Sequence, residues 1–147
     1  MAADLIVFTE DQIRVIKQCA IRSFPSEACG LITGSISDNG RAIVKQVIEA
    51  KNILAAERQD RFEVDPATRI QVEKDCRLTG SQLIAHFHSH PSKPAIPSKT
   101  DLQWALEPTL IWIIAGMHDD LVSELKAYRM QGSEKSFVEI DLLVEAA

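Results

Sequence analysis

Hydrophobic residues recur along this chain with two different periods, which predict alternating helices and strands. Between Glu10 and Arg22, the apolar residues Ile13, Ile16 and Ala20 fall at helical spacing. Thr9 precedes them and is a good N-cap, so we expect the first helix to begin there. Asp65 and Pro66 are typical of an N-cap and a first helical position, and they predict a second helix to about Leu78.

Shorter apolar segments bounded by turn residues predict strands. Six are expected, near residues 28–34, 41–49, 81–88, 109–115, 121–130 and 136–143. The segment from Ser37 to Gly40 predicts a hairpin turn between the first two strands, and Gln131, Gly132 and Ser133 predict one between the last two. This order of elements predicts an α/β fold, a mixed sheet with helices on both faces.

Composition favours one globular domain spanning residues 1–147. The chain is 46% hydrophobic and 25% charged, which is ordinary for a soluble protein of this length. Its net charge of −5, without any lysine- or arginine-rich cluster, argues against nucleic-acid binding. The longest apolar run, at 110–116, is too short to span a membrane, and the chain starts without the basic region of a signal peptide. Cys19, Cys29 and Cys76 form no Cys-x-x-Cys pair and are typical of reduced thiols in a cytoplasmic protein.

The most informative chemistry begins in the strand that ends at His88-Ser89-His90-Pro91. Alternate side chains of a strand share a face, so His88 and His90 point the same way from positions about 6.6 Å apart. Two imidazoles can lean from there onto one metal ion at about 2.0–2.1 Å. His86 shares the face but lies about 13 Å from His90 along an extended strand. We therefore interpret His86 as a buried histidine rather than a third ligand.

A carboxylate follows in a short helix that is predicted to run from Ser98 to Leu106. Ser98-Lys99-Thr100-Asp101 matches a capping box, and taken alone such a pattern is more often a helix cap than a metal site. Directly downstream of two histidines, however, Asp101 would complete a two-histidine, one-carboxylate site with a position left for water. Zinc is the metal expected for nitrogen and oxygen donors of this kind.

The string His88-x-His90-Pro91-x5-Pro97-Ser98-x2-Asp101 resembles the signature of the JAMM (MPN-plus, Mov34/PAD-1) metallopeptidases. The resemblance implies a cytidine-deaminase-like JAMM/MPN fold and one Zn²⁺ per chain, bound by the two histidines and the aspartate. It also implies that Ser98 helps to position the water and to stabilise the oxyanion.

A second stretch, far upstream, strengthens the resemblance. Glu27-Ala28-Cys29-Gly30-Leu31-Ile32-Thr33-Gly34 matches the Glu-x-Cys-Gly-Leu-x-x-Gly pattern common among bacterial and archaeal members of the family. The match implies that Glu27 is the general base. Asn52 and the Phe62-x-x-Asp65-Pro66 segment are weaker matches.

The connections that carry insertions in eukaryotic ubiquitin-cleaving relatives are short here, at 52–61 and 107–108. The chain therefore looks more like the prokaryotic members, which cleave after the Gly-Gly tail of small ubiquitin-like or sulfur-carrier proteins. We hypothesise that such a tail binds a strand edge near residues 52–64, in contact with Phe62. The sequence names neither the carrier nor the bond as peptide or isopeptide, and family membership also allows a homodimer.

Three other interpretations compete with a zinc peptidase. Cys29 could be a nucleophile served by a histidine, although a small buried thiol is the commoner role. A zinc deaminase would need a His-x-Glu motif and a later Pro-Cys-x-x-Cys, and the chain has neither. An MPN-type scaffold that binds partners without metal characteristically lacks one or more site residues. Here all of them are present: Glu27, His88, His90, Ser98 and Asp101.

Overall fold

The computed structural model describes residues 3–57, 61–103, 105, 107–131 and 136–146. Its elements are β1 (Leu5–Thr9), α1 (Glu10–Ser23), β2 (Cys29–Ile36), β3 (Arg41–Ala50), α2 (Pro66–Thr79), β4 (Gln82–His90), α3 (Lys99–Gln103), β5 (Ile111–His118), β6 (Leu121–Gln131) and β7 (Ser136–Glu145). The predicted turn residues Gly132 and Ser133, and the predicted helix end at Leu106, lie outside the described residues.

Both long helices begin at the predicted residues because their caps are formed. Thr9 accepts a hydrogen bond from the Gln12 amide at 3.2 Å, and the Gln12 side chain accepts one from the Thr9 amide at 2.9 Å. Asp65 caps α2 by accepting from the Ala67 amide at 3.2 Å. Helix α2 ends at Gly80, whose φ of 78° is the left-handed conformation that glycine adopts readily.

The strands form one mixed sheet that closes into a barrel in the order β1-β3-β2-β4-β5-β6-β7. Strand β1 is parallel to both β3 and β7, with Val7 opposite Ile43 on one side and Leu143 on the other. Closure through β1 is not predicted by the sequence. The apolar run of β1 is too short for its period to distinguish a strand from a buried helical turn, and its partners lie far away in the chain.

The two long helices cover opposite faces of the sheet, as predicted. Ile16 of α1 packs in the main core with Ile32 and Phe87, whereas Val72 of α2 packs with Leu31. Leu31 and Ile32 are consecutive on β2 and therefore point to opposite faces. The sheet is thus buried on both sides where the helices cover it.

The apolar run at 110–116 belongs to β5, a strand with neighbours on both sides in the sheet. Strand β5 pairs parallel with β4 and antiparallel with β6. Its residues from Ile111 to Met117 are all buried, which explains the unbroken hydrophobic pattern. No helix in the described part of the chain is long and apolar enough to cross a membrane.

Gly30 sets how closely β2 and β4 approach each other. A Cβ atom at Gly30 would lie 2.2 Å from the ring of Phe87 and 2.4 Å from the carbonyl oxygen of Ile48. No side chain fits in that space. Phe87 lies between His86 and His88 in the chain, so this contact also fixes the strand that carries the histidines.

Replacing Ile6 by alanine tests how far stability depends on β1. Ile6 is fully buried in the main core, so we expect Ile6→Ala to lower the free energy of unfolding by about 2–5 kcal/mol. Ile43→Ala, the same change at a side chain 41% exposed on the adjoining strand β3, is expected to cost less than about 1 kcal/mol. Urea unfolding at equilibrium measures both values. Equal losses in the two variants would show that β1 adds little to the core.

Candidate metal centre

Strand β4 presents its histidines on the face that α2 covers. His86, His88 and His90 alternate with Phe87 and Ser89, and Phe87 lies in the main core on the opposite face. His88 is fully buried and His90 is 3% exposed. The predicted alternation of the histidines is therefore confirmed.

Three polar side chains converge at the end of β4. The Nε2 atoms of His88 and His90 are 3.0 Å apart. The Asp101 carboxylate lies 2.9 Å from Nε2 of His90 and 3.3 Å from Nε2 of His88. Donors about 2.0–2.1 Å from a tetrahedral zinc ion would be separated by roughly 3.3–3.4 Å, so these atoms are spaced closely enough to share one ion.

Asp101 caps its helix and faces the histidines at the same time. The Ser98 hydroxyl accepts a hydrogen bond from the Asp101 amide at 3.0 Å, and the Ser98 amide donates to the Asp101 carboxylate at 2.9 Å. The capping box and the approach to the histidines were competing interpretations of the sequence. The structure combines them, because the cap holds the carboxylate where both imidazoles reach it.

Glu27 lies beside the histidines, two residues before β2, the strand that pairs with β4. It is 2% exposed, and one of its carboxylate oxygens lies within 4.8 Å of a ring nitrogen of both His88 and His90. Ser89 holds the segment that leads into β2 in place, because its hydroxyl accepts from the Ala28 amide at 2.7 Å while its own amide donates to the Ala28 carbonyl at 3.1 Å. The sequence analysis assigned no role to Ser89. The only indication in the sequence is that a small polar residue stands between two histidines.

The electrostatics of the cluster favour an ionised carboxylate between imidazoles. Burial would raise the pKa of Asp101, but His88 and hydrogen bonds from both histidines and the Ser98 amide bring it well below its usual range. Burial lowers the pKa of His88. Burial also opposes protonation of His90, but its hydrogen bond to Asp101 and the charge of that carboxylate outweigh burial and raise the pKa of His90. One carboxylate and two imidazoles form a donor set suited to zinc.

Two aromatic rings, from Phe62 and from Trp112 of β5, pack against the histidines of β4. Phe62 stacks on His88 with ring centroids 4.5 Å apart and an interplanar angle of 18°. Trp112 presents its edge to His86 at 4.4 Å. His86 is held neutral, because burial and then the neighbouring His88 lower its pKa to about 3. Its ring centroid lies 6.5 Å from that of His88. The His86 side chain is half-buried rather than fully buried as predicted, because it also lines a cavity beside the cluster.

Asn52 ties the 52–64 segment to the residue predicted as the base. Its side-chain amide donates to the Glu27 carbonyl at 2.9 Å and to the Arg61 carbonyl at 3.4 Å. Its oxygen accepts from the amides of Leu54 at 3.0 Å and Glu63 at 3.1 Å. The sequence identified Asn52 only as a weak match to a family pattern, because bonds to distant backbone groups leave no local signature.

A cavity of about 450 Å³ adjoins the cluster. Its lining is mostly apolar and includes Phe62, Val64, Leu110 and Trp112, and it reaches Asp101. An apolar cleft with a few polar groups at one end is the usual form of a ligand site. The predicted contact residue Phe62 lies in this wall.

Cys29 does not have the environment of a nucleophile. It is 1% exposed, and burial together with the charge of Glu27 raises its pKa to about 12. Its sulfur lies 3.7 Å from the Ala50 carbonyl oxygen, within hydrogen-bonding distance. The thiol is therefore protonated at neutral pH and poorly nucleophilic.

The chain is similar in sequence to one protein family and to several characterised proteins. Residues 9–131 match the family model described as prokaryotic homologs of the JAB domain. The chain is 27% identical to the desampylase of Haloferax volcanii, covering 82% of this chain and 80% of that protein. It is 28% identical to the CysO-cysteine peptidase of Mycobacterium tuberculosis, covering 86% and 83%.

Solved structures share the architecture. A Desulfitobacterium hafniense protein superposes with a TM-score of 0.84 at 27% identity, covering 97% of this chain and 94% of that one. A JAB1/MPN domain protein from Archaeoglobus fulgidus superposes with a TM-score of 0.55 at 20% identity, covering 97% and 99%. The second likeness concerns the fold alone.

Replacing Asn52 by alanine tests its role in holding the 52–64 segment. The change leaves several backbone groups without their side-chain partner, so we expect the free energy of unfolding to fall by about 2–3 kcal/mol. Proteolysis under native conditions should then cleave the segment faster. Asn39→Ala, in the exposed turn between β2 and β3, is the matched control and should cost less than about 0.5 kcal/mol. If the two variants behave alike, Asn52 does not organise the segment.

Proposed function

This chain belongs to the family of prokaryotic homologs of the JAB domain, and on that premise we propose that it is a zinc-dependent peptidase or isopeptidase. Its proposed substrates are conjugates of small ubiquitin-like or sulfur-carrier proteins, cut after the C-terminal Gly-Gly tail. The observation that carries the proposal is the convergence of His88, His90 and Asp101 at 2.9–3.3 Å, with Glu27 beside them. The names of the relatives, a desampylase and a CysO-cysteine peptidase, support this class of substrate.

The donor set supports zinc as the metal. Two imidazole nitrogens and one carboxylate make three protein ligands, which is the arrangement of catalytic zinc sites that keep one position open. When bound there, zinc supplies Lewis-acid polarisation of the scissile carbonyl and activation of water.

Two residues carry the remaining chemistry in this proposal. Glu27 takes the proton of the attacking water and transfers it to the leaving amine. Ser98 donates a hydrogen bond where negative charge develops on the carbonyl oxygen, a contribution of about 3 kcal/mol for comparable donors. Its hydroxyl oxygen already accepts from the Asp101 amide, so the O–H group itself remains available as the donor.

The closed barrel supports the 52–64 segment as the place where an extended tail binds. Among the described residues, each of the seven strands has a neighbour on both sides over at least part of its length, so closure limits the edge that the barrel itself offers to a substrate. Asn52 and Val64 form an isolated antiparallel bridge outside the barrel, and the Ile53 amide donates to the Glu63 carbonyl at 3.0 Å. The cavity beside Phe62 continues from this segment to Asp101.

The proposal is tested by elemental analysis together with cleavage of a Gly-Gly-tailed carrier fusion. Wild type should contain about one zinc per chain, and His88→Ala/His90→Ala should lose both the metal and cleavage. Asp101→Asn should also lose zinc. Glu27→Gln should keep zinc but cleave about 10²–10⁴-fold more slowly, because only the base is removed. Cys29→Ala is the control and should retain zinc and cleavage.

The variants separate the alternatives. Zinc retained in Asp101→Asn but lost in Glu27→Gln would make Glu27 the third ligand, which its distance to the histidines allows. Stoichiometric zinc without cleavage would keep the site and redirect the search to other substrates. Wild type without metal would contradict the enzyme and leave an MPN-type binding scaffold.

Phe62→Leu should raise KM more than it lowers kcat. The Phe62 ring lines the cavity but carries no group that takes part in the chemistry, so its loss should weaken binding of the tail. Phe137→Leu is the matched control, because the Phe137 ring centroid lies 4.9 Å from that of Trp112 and Phe137 is not among the described residues that line the cavity. Steady-state kinetics on the carrier fusion give both constants. A fall in kcat at unchanged KM would instead mean that Phe62 acts by orienting His88.

A further inference from the structure

The orientation of His90 depends on a backbone carbonyl in the loop that follows it. Nδ1 of His90 lies 3.0 Å from the carbonyl oxygen of Pro94. A carbonyl can only accept, so Nδ1 carries a proton and Nε2 is the ring nitrogen left to face the cluster. Nε2 lies 3.0 Å from Nε2 of His88 and 2.9 Å from the Asp101 carboxylate. The position of the Pro94 carbonyl therefore decides how His90 presents its donor atom.

The residue after Pro94 is held by two side chains from β6. Ala95 is fully buried. Its amide donates to Oε1 of Glu124 at 3.0 Å, and its carbonyl accepts from the hydroxyl of Tyr128 at 2.5 Å. Both polar backbone groups of Ala95 are thus bound by side chains from a strand that is separated from β4 by β5.

The loop also lies directly on β5, which leaves it little room to move. The Met117 amide donates to the Lys93 carbonyl at 3.0 Å. A Cβ atom at Gly116 would lie 2.5 Å from the Ala95 nitrogen and 2.9 Å from the Pro94 carbonyl carbon. Gly116 is the residue of β5 that pairs with His90. The backbone of Pro94 and Ala95 therefore occupies the space a side chain would fill.

We propose that Glu124 and Tyr128 are positioning residues for His90, because they hold the Ala95 peptide and so fix the Pro94 carbonyl against Nδ1. The inference rests on the proposed function in that His90 is taken as a metal ligand. Partners that orient a ligating histidine commonly change metal affinity or activity about 10–100-fold when removed. Burial raises the pKa of Tyr128 to about 12, so its hydroxyl remains a donor at neutral pH.

The hydroxyl of Tyr128 can be separated from the packing of its ring. Tyr128 belongs to an apolar cluster with Ala95, Trp112 and Ile114, against which Met130 packs. Tyr128→Phe keeps the ring and removes only the hydrogen bond to Ala95. Met130→Ala disturbs the same cluster without touching that hydrogen bond, and serves as the control for packing.

Glu124 offers a second, independent variant at a partly exposed site, with its side chain 38% accessible. Glu124→Ala removes the acceptor for the Ala95 amide. Glu124→Gln keeps an acceptor oxygen at the same place, so it should still accept the hydrogen bond from the Ala95 amide and hold the Pro94 carbonyl against His90. Because Glu124 is not in the core, neither change threatens folding.

The experiment measures zinc affinity by competition with a chelator and the tautomer of His90 in metal-free protein by long-range ¹H–¹⁵N NMR. Tyr128→Phe and Glu124→Ala should each weaken zinc binding about 10-fold and reduce the population of His90 with the proton on Nδ1. Glu124→Gln and Met130→Ala should stay close to wild type in both measurements. Circular dichroism confirms that each variant is folded.

Zinc affinity within about twofold of wild type in both Tyr128→Phe and Glu124→Ala, with an unchanged His90 tautomer, would overturn the inference and leave the proposed function intact. An equal loss of affinity in Met130→Ala would also overturn it, because packing alone would then explain the effect. Wild type that binds no zinc would contradict the proposed function instead. In that case the NMR measurement on metal-free protein still decides whether the two residues orient His90.

Discussion

The close antiparallel pairing of β2 with β4 is the constraint on which the site depends. Phe87 packs over Gly30 where no side chain fits, and Cys29 lies directly opposite His88. Two hydrogen bonds between Ala28 and Ser89 continue this contact to the end of the strands. Glu27 is the next residue along the chain. A carboxylate near the start of the sequence thus meets histidines about sixty residues later because of strand register, not because of any local motif.

The second constraint is the cost of burying charge. Asp101 is 4% exposed, and a buried carboxylate is unfavourable unless it is paired and hydrogen-bonded. Here the Ser98 amide and both histidines supply those partners. The rings of Phe62 and Trp112 pack against His88 and place apolar surface beside the cluster, which strengthens its electrostatic contacts. The helix cap and the polar cluster therefore stabilise one arrangement, and the two sequence interpretations of Asp101 describe a single structure.

Local patterns predicted most of the elements and the positions of the chemical groups, but not the long-range contacts that hold them. The caps at Thr9 and Asp65 and the alternation of the histidines depend on neighbouring residues, so the sequence displays them directly. Closure of the barrel depends on β1 pairing with strands that are remote in the chain. The roles of Asn52 and Tyr128 likewise depend on backbone groups 25 and 33 residues away, and a single sequence does not reveal such partners.

The 52–64 segment connects both sides of the cluster to the cavity. Asn52, at its start, bonds the Glu27 carbonyl, and Phe62, near its end, stacks on His88. The four hydrogen bonds of Asn52 leave the two ends of the segment little freedom to move separately. Because Phe62 and Val64 also line the cavity, a molecule in that cavity touches the same segment that contacts Glu27 and His88. The 52–64 segment therefore contributes to the surroundings of Glu27, of His88 and of the cavity at the same time, although none of its described residues supplies a donor atom to the cluster.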